Sequence, residues 1–304
     1  MYMSFNDNIQ LDPGRVSTSK GGRGGRGLAI GGGGSLFVVI ALVVISQLTG
    51  VDLIGGLTGG GQQQQQSQSA QPGIDLSHCT TGKAANEKDE CRMVATAQSL
   101  DAMWAEQLPE QADADYKKPG FQIFQDSVNT QCGAASANVG PFYCPGDSTV
   151  YLDLSFFNQL SQFGAKNGPL AQEYIVAHEF GHHIQNLTGQ FNAHDTRQQG
   201  DGSAAVRMEL QADCYAGIWG NHASQTVDKN SGEAFLKKPS DTQIADALGV
   251  AAAIGDDHLQ EQSQGGVNPD SWTHGSSEQR TRWFKTGIEQ GSMKACDTFS
   301  ADSL

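Results

Sequence analysis

Basic residues are scarce in this chain: Lys and Arg number 19 against 33 Asp and Glu, for a net charge of −14 over 304 residues. A nucleic-acid partner needs a basic face, so that class of function is argued against at the outset. Charged residues of both signs amount to only 17%. No Cys-X-X-Cys pair occurs among the six cysteines (Cys79, Cys91, Cys132, Cys144, Cys214 and Cys296), which removes the common structural-zinc and dithiol redox patterns. No internal repeat is present, so a solenoid or propeller is excluded as well.

Glycine, by contrast, is abundant at 38 residues and crowds the N-terminal part of the chain. There LAIGGGGSLFVVIALVVISQL, residues 28–48, carries no charge. Its strongly apolar centre is short, but with its flanks the stretch reaches the ~20 residues of a spanning helix. Arg15, Lys20, Arg23 and Arg26 precede it, and the first charge after it is Asp52. That asymmetry predicts a single N-terminal anchor over 28–49, a cytoplasmic basic tail over 1–27, and the rest of the chain outside the cytoplasm. A cleaved signal peptide is the rival, but the long preceding tail and VVISQLTG, a poor cleavage site, speak against it. A buried core strand fits the flanking glycines and glutamines badly. Residues 50–74, rich in Gly, Gln and Ser, cannot support a core and read as a flexible linker. The folded domain is expected over 75–304.

In an oxidising compartment the cysteines become candidates for disulfides. Cys79 with Cys91 and Cys132 with Cys144 would each close a loop of about a dozen residues, at roughly 2–3 kcal/mol apiece. Cys214 with Cys296 remains if both form.

Within the domain, Met93, Ala97, Leu100, Trp104 and Leu108 fall at helical spacing, which predicts an amphipathic helix over 92–108. STVYLDLSFF, 148–157, alternates apolar and polar residues as a half-buried strand does. It is also a candidate edge against which an extended substrate would lie. A longer helix is predicted over 167–189, opened by Asn-Gly-Pro and closed by Gly189.

That helix contains VAHEFGHHIQ, 176–185. His178 and His182 are four residues apart, so both imidazoles project from one face, with Glu179 beside them. This is the HExxH arrangement of two metal ligands and a base. A catalytic zinc wants a third protein ligand. AAVRMELQADCYAGIWG, 204–220, reads as a second helix on which Glu209 and Asp213 share a face. Glu209 is suited to complete a His₂Glu site, and Asp213 to accept a hydrogen bond from a ligand histidine. The bland reading, a helix pair whose polar residues merely cap a core, would bury two histidines and three acids without common purpose, which is costly.

HEFGHHIQ followed by ELQADCYAG resembles the neutral zinc metallopeptidase family, whose members are often bacterial and membrane-anchored. The resemblance covers most of 76–299 and takes in GPFYCPGDSTVYLD (140–153) and THGSSEQRTRWF (273–284). It implies a zincin-like α+β domain, Zn²⁺ on His178, His182 and Glu209, Glu179 as general base and acid, and Asp213 behind the ligands. It also implies a peptide or protein substrate.

THGSSEQR places His274 six residues before Arg280 and is similar to the late His-Pro…Arg block of clan relatives, with Gly275 where Pro would stand. Such a histidine can stabilise charge on the carbonyl oxygen. Alternatively His274 caps a helix starting near Ser276 while Arg280 pairs with an acid. His183 points about 100° away from His182 and is not expected as a ligand. His78, His194, His222 and His258 are expected to be ordinary residues, and Tyr143 and Tyr151 are not counted as site residues. The function expected is peptide hydrolysis by an anchored zinc enzyme. The alternative, a metal-stabilised envelope scaffold or chaperone-like module, would have no need of Glu179.

Overall fold

The computed structural model describes residues 4–20 and 71–304. The expected anchor at 28–49 and most of the expected linker lie outside those residues. Among the described residues no helix is long and apolar enough to cross a membrane.

A helix at Pro169–Leu187 forms the centre of the molecule, and every residue from Leu170 to Gln185 is buried. A helix buried this completely, its polar residues included, must be covered on every side. Its cover comes from helices at Asp89–Ala112, Ala204–His222 and Asp241–Ala253 and from the sheet. In chain order the helices are α1 (Gly82–Glu87), α2 (Asp89–Ala112), α3 (Phe156–Gln159), α4 (Pro169–Leu187), α5 (Gln190–Ala193), α6 (Ala204–His222), α7 (Asp241–Ala253), α8 (Asp256–Gln264) and α9 (Ser277–Gln290). The strands are β1 (Ser17–Lys20), β2 (Gln71–Pro72), β3 (Gly120–Gln125), β4 (Ser127–Thr130), β5 (Gly133–Ser136), β6 (Phe142–Cys144) and β7 (Thr149–Leu152). The expected α+β class is what the molecule has: a five-stranded sheet in the order β2-β1-β3-β7-β6, a small β4-β5 hairpin, and helices packed alongside.

Of the three expected helices, α2 begins three residues before and ends four after 92–108, α4 lies within 167–189, and α6 begins at the expected residue 204 and runs two residues past 220. Ser203 Oγ accepts from Val206 N to start α6, and Pro169 opens α4 at its first turn. The strand expectation needs more correction. Only Thr149–Leu152 is extended, and Tyr151 is as buried as Val150 and Leu152. β7 runs parallel to β3 and antiparallel to β6, so it is an inner strand covered on both faces. The sheet edge nearest α4 is β6 instead.

The largest difference lies at the N-terminus. Residues 4–20, expected in a tail apart from the domain that starts at 75, belong to the folded body. Phe5 and Ile9 are fully buried, and Leu11 and Val16 nearly so. Phe5 bridges to Leu236, Lys237 N donates to Ser4 O at 2.8 Å, and Gln10 N donates to Asp228 Oδ2 at 2.9 Å. β1 pairs in parallel with β3 over Ser17–Lys20 and antiparallel with β2, Lys20 opposite Gln71. Arg15, read from sequence as a charge flanking the anchor, forks the buried Asp101 carboxylate at 2.6 and 3.1 Å. A parallel pairing has no local sequence signal, because its two partners are a hundred residues apart.

Three disulfides close the expected pairs: Cys79–Cys91, Cys132–Cys144 and Cys214–Cys296. The last ties α6 to the C-terminal turn. α6 also meets α9 at a crossing of two glycines. A Cβ on Gly217 would stand 2.2 Å from Phe284 O, and one on Gly287 would stand 2.0 Å from Cys214 O. Only bare backbones fit there, and the closeness brings Arg280 of α9 down onto α6.

Candidate metal centre

α4 and α6 cross at Gly181, where an added Cβ would lie 2.9 Å from Ala212 O and 3.0 Å from Ala212 Cα. The missing side chain lets the two backbones approach, and this carries Glu209 across to the histidines next to Gly181. Glu209 Oε2 lies 3.2 Å from His178 Nε2, and Oε1 lies 3.5 Å from His182 Nε2. One donor atom from each of the three residues falls within 4.8 Å of the others, and all three residues are buried. The two imidazole planes are nearly perpendicular, at 86° with centroids 4.8 Å apart.

The outer ring nitrogens fix which atoms face inward. His178 Nδ1 lies 2.8 Å from Asp213 Oδ1, and His182 Nδ1 lies 2.9 Å from Gln185 Oε1. A carboxylate and an amide oxygen only accept, so each Nδ1 carries a hydrogen and each Nε2 is the ring atom turned toward Glu209. Two imidazole nitrogens and a carboxylate meeting in one buried spot form a group that could hold a metal ion. That donor set, two imidazoles and one carboxylate, suits zinc.

The outer partners are themselves held. Gln185 Nε2 donates to Met208 O at 2.7 Å and to Gln211 Oε1 at 3.1 Å. Asp213 accepts from Tyr174 Oη at 2.6 Å and is forked by Arg280 through Nε at 2.9 Å and Nη2 at 3.0 Å. Burial alone would raise the Asp213 pKa, but Arg280 and then His178 outweigh it and hold the carboxyl below its ordinary value. Burial opposes charge on His178 too, yet Asp213 and Glu209 lift its pKa to about 10. With no metal counted, that value measures how strongly the surrounding carboxylates favour positive charge at this spot.

Glu179 faces the same cavity. Burial pushes its pKa up, and the two histidines restrain the rise. His274 lines the cavity as well. Its Nδ1 lies 3.2 Å from Asp256 Oδ1, while Oδ2 of that carboxylate accepts the backbone N–H groups of Thr273, His274 and Gly275 at 2.7, 2.7 and 3.1 Å. Burial would lower the His274 pKa, but Asp256 outweighs it and lifts it above its ordinary value. His274 does not cap α9. Ser276 does, in a reciprocal capping box with Gln279. Arg280 pairs with an acid, Asp213, and also borders the cavity.

The structure thus brings together all six candidates: His178, Glu179, His182, Glu209, Asp213 and His274. Sequence reasoning missed Asp256, Gln185 and Tyr174. Gln185 and Tyr174 were within reach, three residues after His182 and four before His178 on one helix face. Asp256 was not, because 18 residues separate it from His274. Also missed was the cavity wall: Phe142, Phe156, Phe163, Ile175, Ile254 and Leu259 surround a space of about 180 Å³ beside the metal-binding groups.

The remaining histidines have ordinary partners. His183 Nε2 bonds Lys117 O and its Nδ1 the Tyr143 hydroxyl, and burial lowers its pKa. His194 stacks on Phe299, His222 bonds Gly291 O, His258 bonds Phe163 O, and His78 meets Glu90. His78 also adjoins Cys79 and Cys91, but those sulfurs are bonded to each other.

Comparison with known proteins places this geometry in a family. The family described as "Putative neutral zinc metallopeptidase" matches residues 4–299, including the N-terminal segment that the fold incorporates. The protein Rv2575 of Mycobacterium tuberculosis is 50% identical over 234 residues, covering 77% of this chain and 78% of its own. YpfJ of Escherichia coli K12 is 36% identical over 292 residues, covering 94% and 93%. Both carry the description "Uncharacterized protein". No solved structure matches the chain. The chain belongs to the putative neutral zinc metallopeptidase family.

Proposed function

We propose that this protein is a zinc-dependent peptidase attached to a membrane through residues 28–49, with its folded residues, 4–20 included, on the oxidising, extracytoplasmic side. His178, His182 and Glu209 would hold the ion, and zinc so held supplies Lewis acidity toward a carbonyl and eases the ionisation of water. Glu179 would take the proton of the attacking water and pass it to the departing amine. Burial raises its pKa above the ordinary carboxylate value, which favours a group that must accept a proton as well as release it. His274, whose positive form Asp256 favours, would face the carbonyl oxygen as negative charge builds there. Asp213 and Gln185 hold the two ligand rings in the tautomer that presents Nε2. The apolar wall would receive a large hydrophobic side chain of the peptide. The three disulfides support the compartment.

One observation carries this reading: Glu179 stands in the cavity beside the converging ligand atoms. A metal that only braces a scaffold has no use for a buried carboxylate there, and this favours hydrolysis over the scaffold reading. The test pairs metal analysis with peptide hydrolysis. Glu179→Gln is expected to keep one zinc per chain and lose turnover by at least roughly a hundredfold, the lower end of general-base contributions. His178→Ala is expected to lose the metal too. A Glu179→Gln protein that cleaves peptides at the wild-type rate refutes the mechanism. Wild-type protein that binds zinc yet cleaves nothing in a broad peptide library supports the scaffold.

A further inference from the structure

His183, the last histidine of the HEFGHH run, is a buried group for which the chemistry above has no use. Its Nε2 is 2.6 Å from Lys117 O, which only accepts, so Nε2 carries the ring hydrogen. Nδ1 must then accept, and the Tyr143 hydroxyl donates to it at 3.0 Å. The Tyr143 oxygen in turn accepts from Asn186 Nδ2 at 2.9 Å. Every hydrogen in this relay has one available direction. The relay joins the face of α4 turned away from the metal ligands to β6, the sheet edge that walls the cavity through Phe142 and Tyr143. We propose that His183 and Tyr143 are positioning residues, a latch that fixes the width of the substrate cleft between β6 and Glu179. This proposal rests on the peptidase reading.

Tyr143→Phe removes one hydroxyl and leaves the ring that packs on His183. The expected result is unchanged zinc content and a KM raised about tenfold, the scale of one lost buried hydrogen bond, with kcat within about threefold. His183→Gln, which can still donate and accept, is expected to fall between wild type and His183→Leu. Loss of zinc, a kcat effect at constant KM, or no effect at all overturns the latch. Peptide affinity measured in the Glu179→Gln background separates the two claims. If adding Tyr143→Phe weakens binding tenfold while the wild type hydrolyses nothing, the latch stands and the peptidase reading falls.

A second inference rests on the sheet alone. β1 lies between β2 and β3, and Phe5 and Ile9 are buried in the same core as α2. Whatever course residues 21–70 take, their two ends meet at the Lys20–Gln71 pair. A single membrane crossing between them would tear β1 from β3. We infer that residues 4–20 and the catalytic residues occupy one compartment, contrary to the arrangement expected from the charges around the apolar segment. Arg15, one of those charges, is committed to Asp101.

Single cysteines at Gln10 and at Lys118, both exposed, test this in intact cells expressing the full chain. A membrane-impermeant maleimide should label both, or neither until lysis. Labelling of one position alone refutes the inference.

Discussion

Removing the first 20 residues should unfold the enzyme, although they precede an apolar segment and lie far from the metal in sequence. A fragment 75–304 keeps all the candidate chemistry and loses Phe5, Ile9, Leu11 and Val16, each less than a tenth exposed. At about 1.5–3 kcal/mol for each buried side chain, the loss is about 6–12 kcal/mol. The departure of Arg15 also leaves Asp101 buried with Tyr116 and, 3.5 Å away, Lys118 as remaining partners. Orphaning a buried charge costs a few kcal/mol more. The total matches or exceeds the ~5–15 kcal/mol that holds a domain together. The same reasoning says how to make a stable soluble form. Lys20 and Gln71 are already antiparallel partners, so an Asn-Gly turn in place of residues 21–70 would join them as a hairpin. Shortening that loop from 50 residues to two lowers the entropic cost of closure by about 3 kcal/mol, from (3/2)RT ln of a roughly 25-fold ratio. Circular dichroism and urea unfolding of both variants decide the matter. The turn variant is expected to unfold cooperatively, at or above the midpoint of the intact chain, with zinc bound. The 75–304 fragment is expected to show no cooperative transition. If 75–304 folds with the midpoint of the turn variant, residues 4–20 are an ornament on the domain and the packing argument is wrong.

Three further outcomes are expected. Asp256→Asn removes the charge that raises the His274 pKa, so kcat should fall about 10–100-fold with zinc retained. A raised histidine pKa means that activity is lost as pH rises through it, so the alkaline limb of the pH–kcat profile should move to lower pH in this variant. Gly181→Ala should press α4 against the Ala212 backbone, costing about 1–3 kcal/mol in urea unfolding and loosening zinc as His182 and Glu209 part. Glu173 is fully buried with Arg92 Nε 3.9 Å away, and burial lifts its pKa to about 7 despite that cation. Because the folded state holds this proton more tightly than the unfolded chain, stability should fall by about 3 kcal/mol as pH climbs from about 4.5 to about 7. Glu173→Gln should flatten that slope in urea midpoints measured across the window. An equally steep slope in the variant would show that another group is responsible.

What could be read from the chain divides by the range of the interaction. His178, Glu179 and His182 are fixed to one another by helix geometry, and Glu209 and Asp213 likewise, so each half of the site is written within five residues. Joining the halves took an assumption about which helices touch. Gly181, inside the HEFGHH run, was the available clue: a glycine at a buried mid-helix position costs about 1 kcal/mol against alanine and implies that another backbone comes close. Asp256 gave no such clue, because it acts on His274 across a turn whose shape depends on the packing of α8 and α9. The apolar cavity wall was hidden for a different reason. Phe142, Ile175, Ile254 and Leu259 come from four separate elements, and each looks locally like any other core residue.

The N-terminal segment shows how one residue can carry two readings. Arg15 is basic and precedes an apolar run, which is what a topology signal looks like. In the fold it answers Asp101 on α2, a residue 86 positions away, and sits beside Phe180 of the metal-binding helix with its guanidinium carbon 5.8 Å from the ring centroid. A charge that flanks a membrane needs only water and lipid headgroups around it, whereas this one is almost completely buried against a carboxylate. Burial of that kind is affordable only if the pair forms during folding, with residues 4–20 and 71–304 present together. The membrane question therefore turns on a salt bridge: Arg15→Gln should destabilise the full chain even in detergent solution, where a topology signal has nothing left to direct.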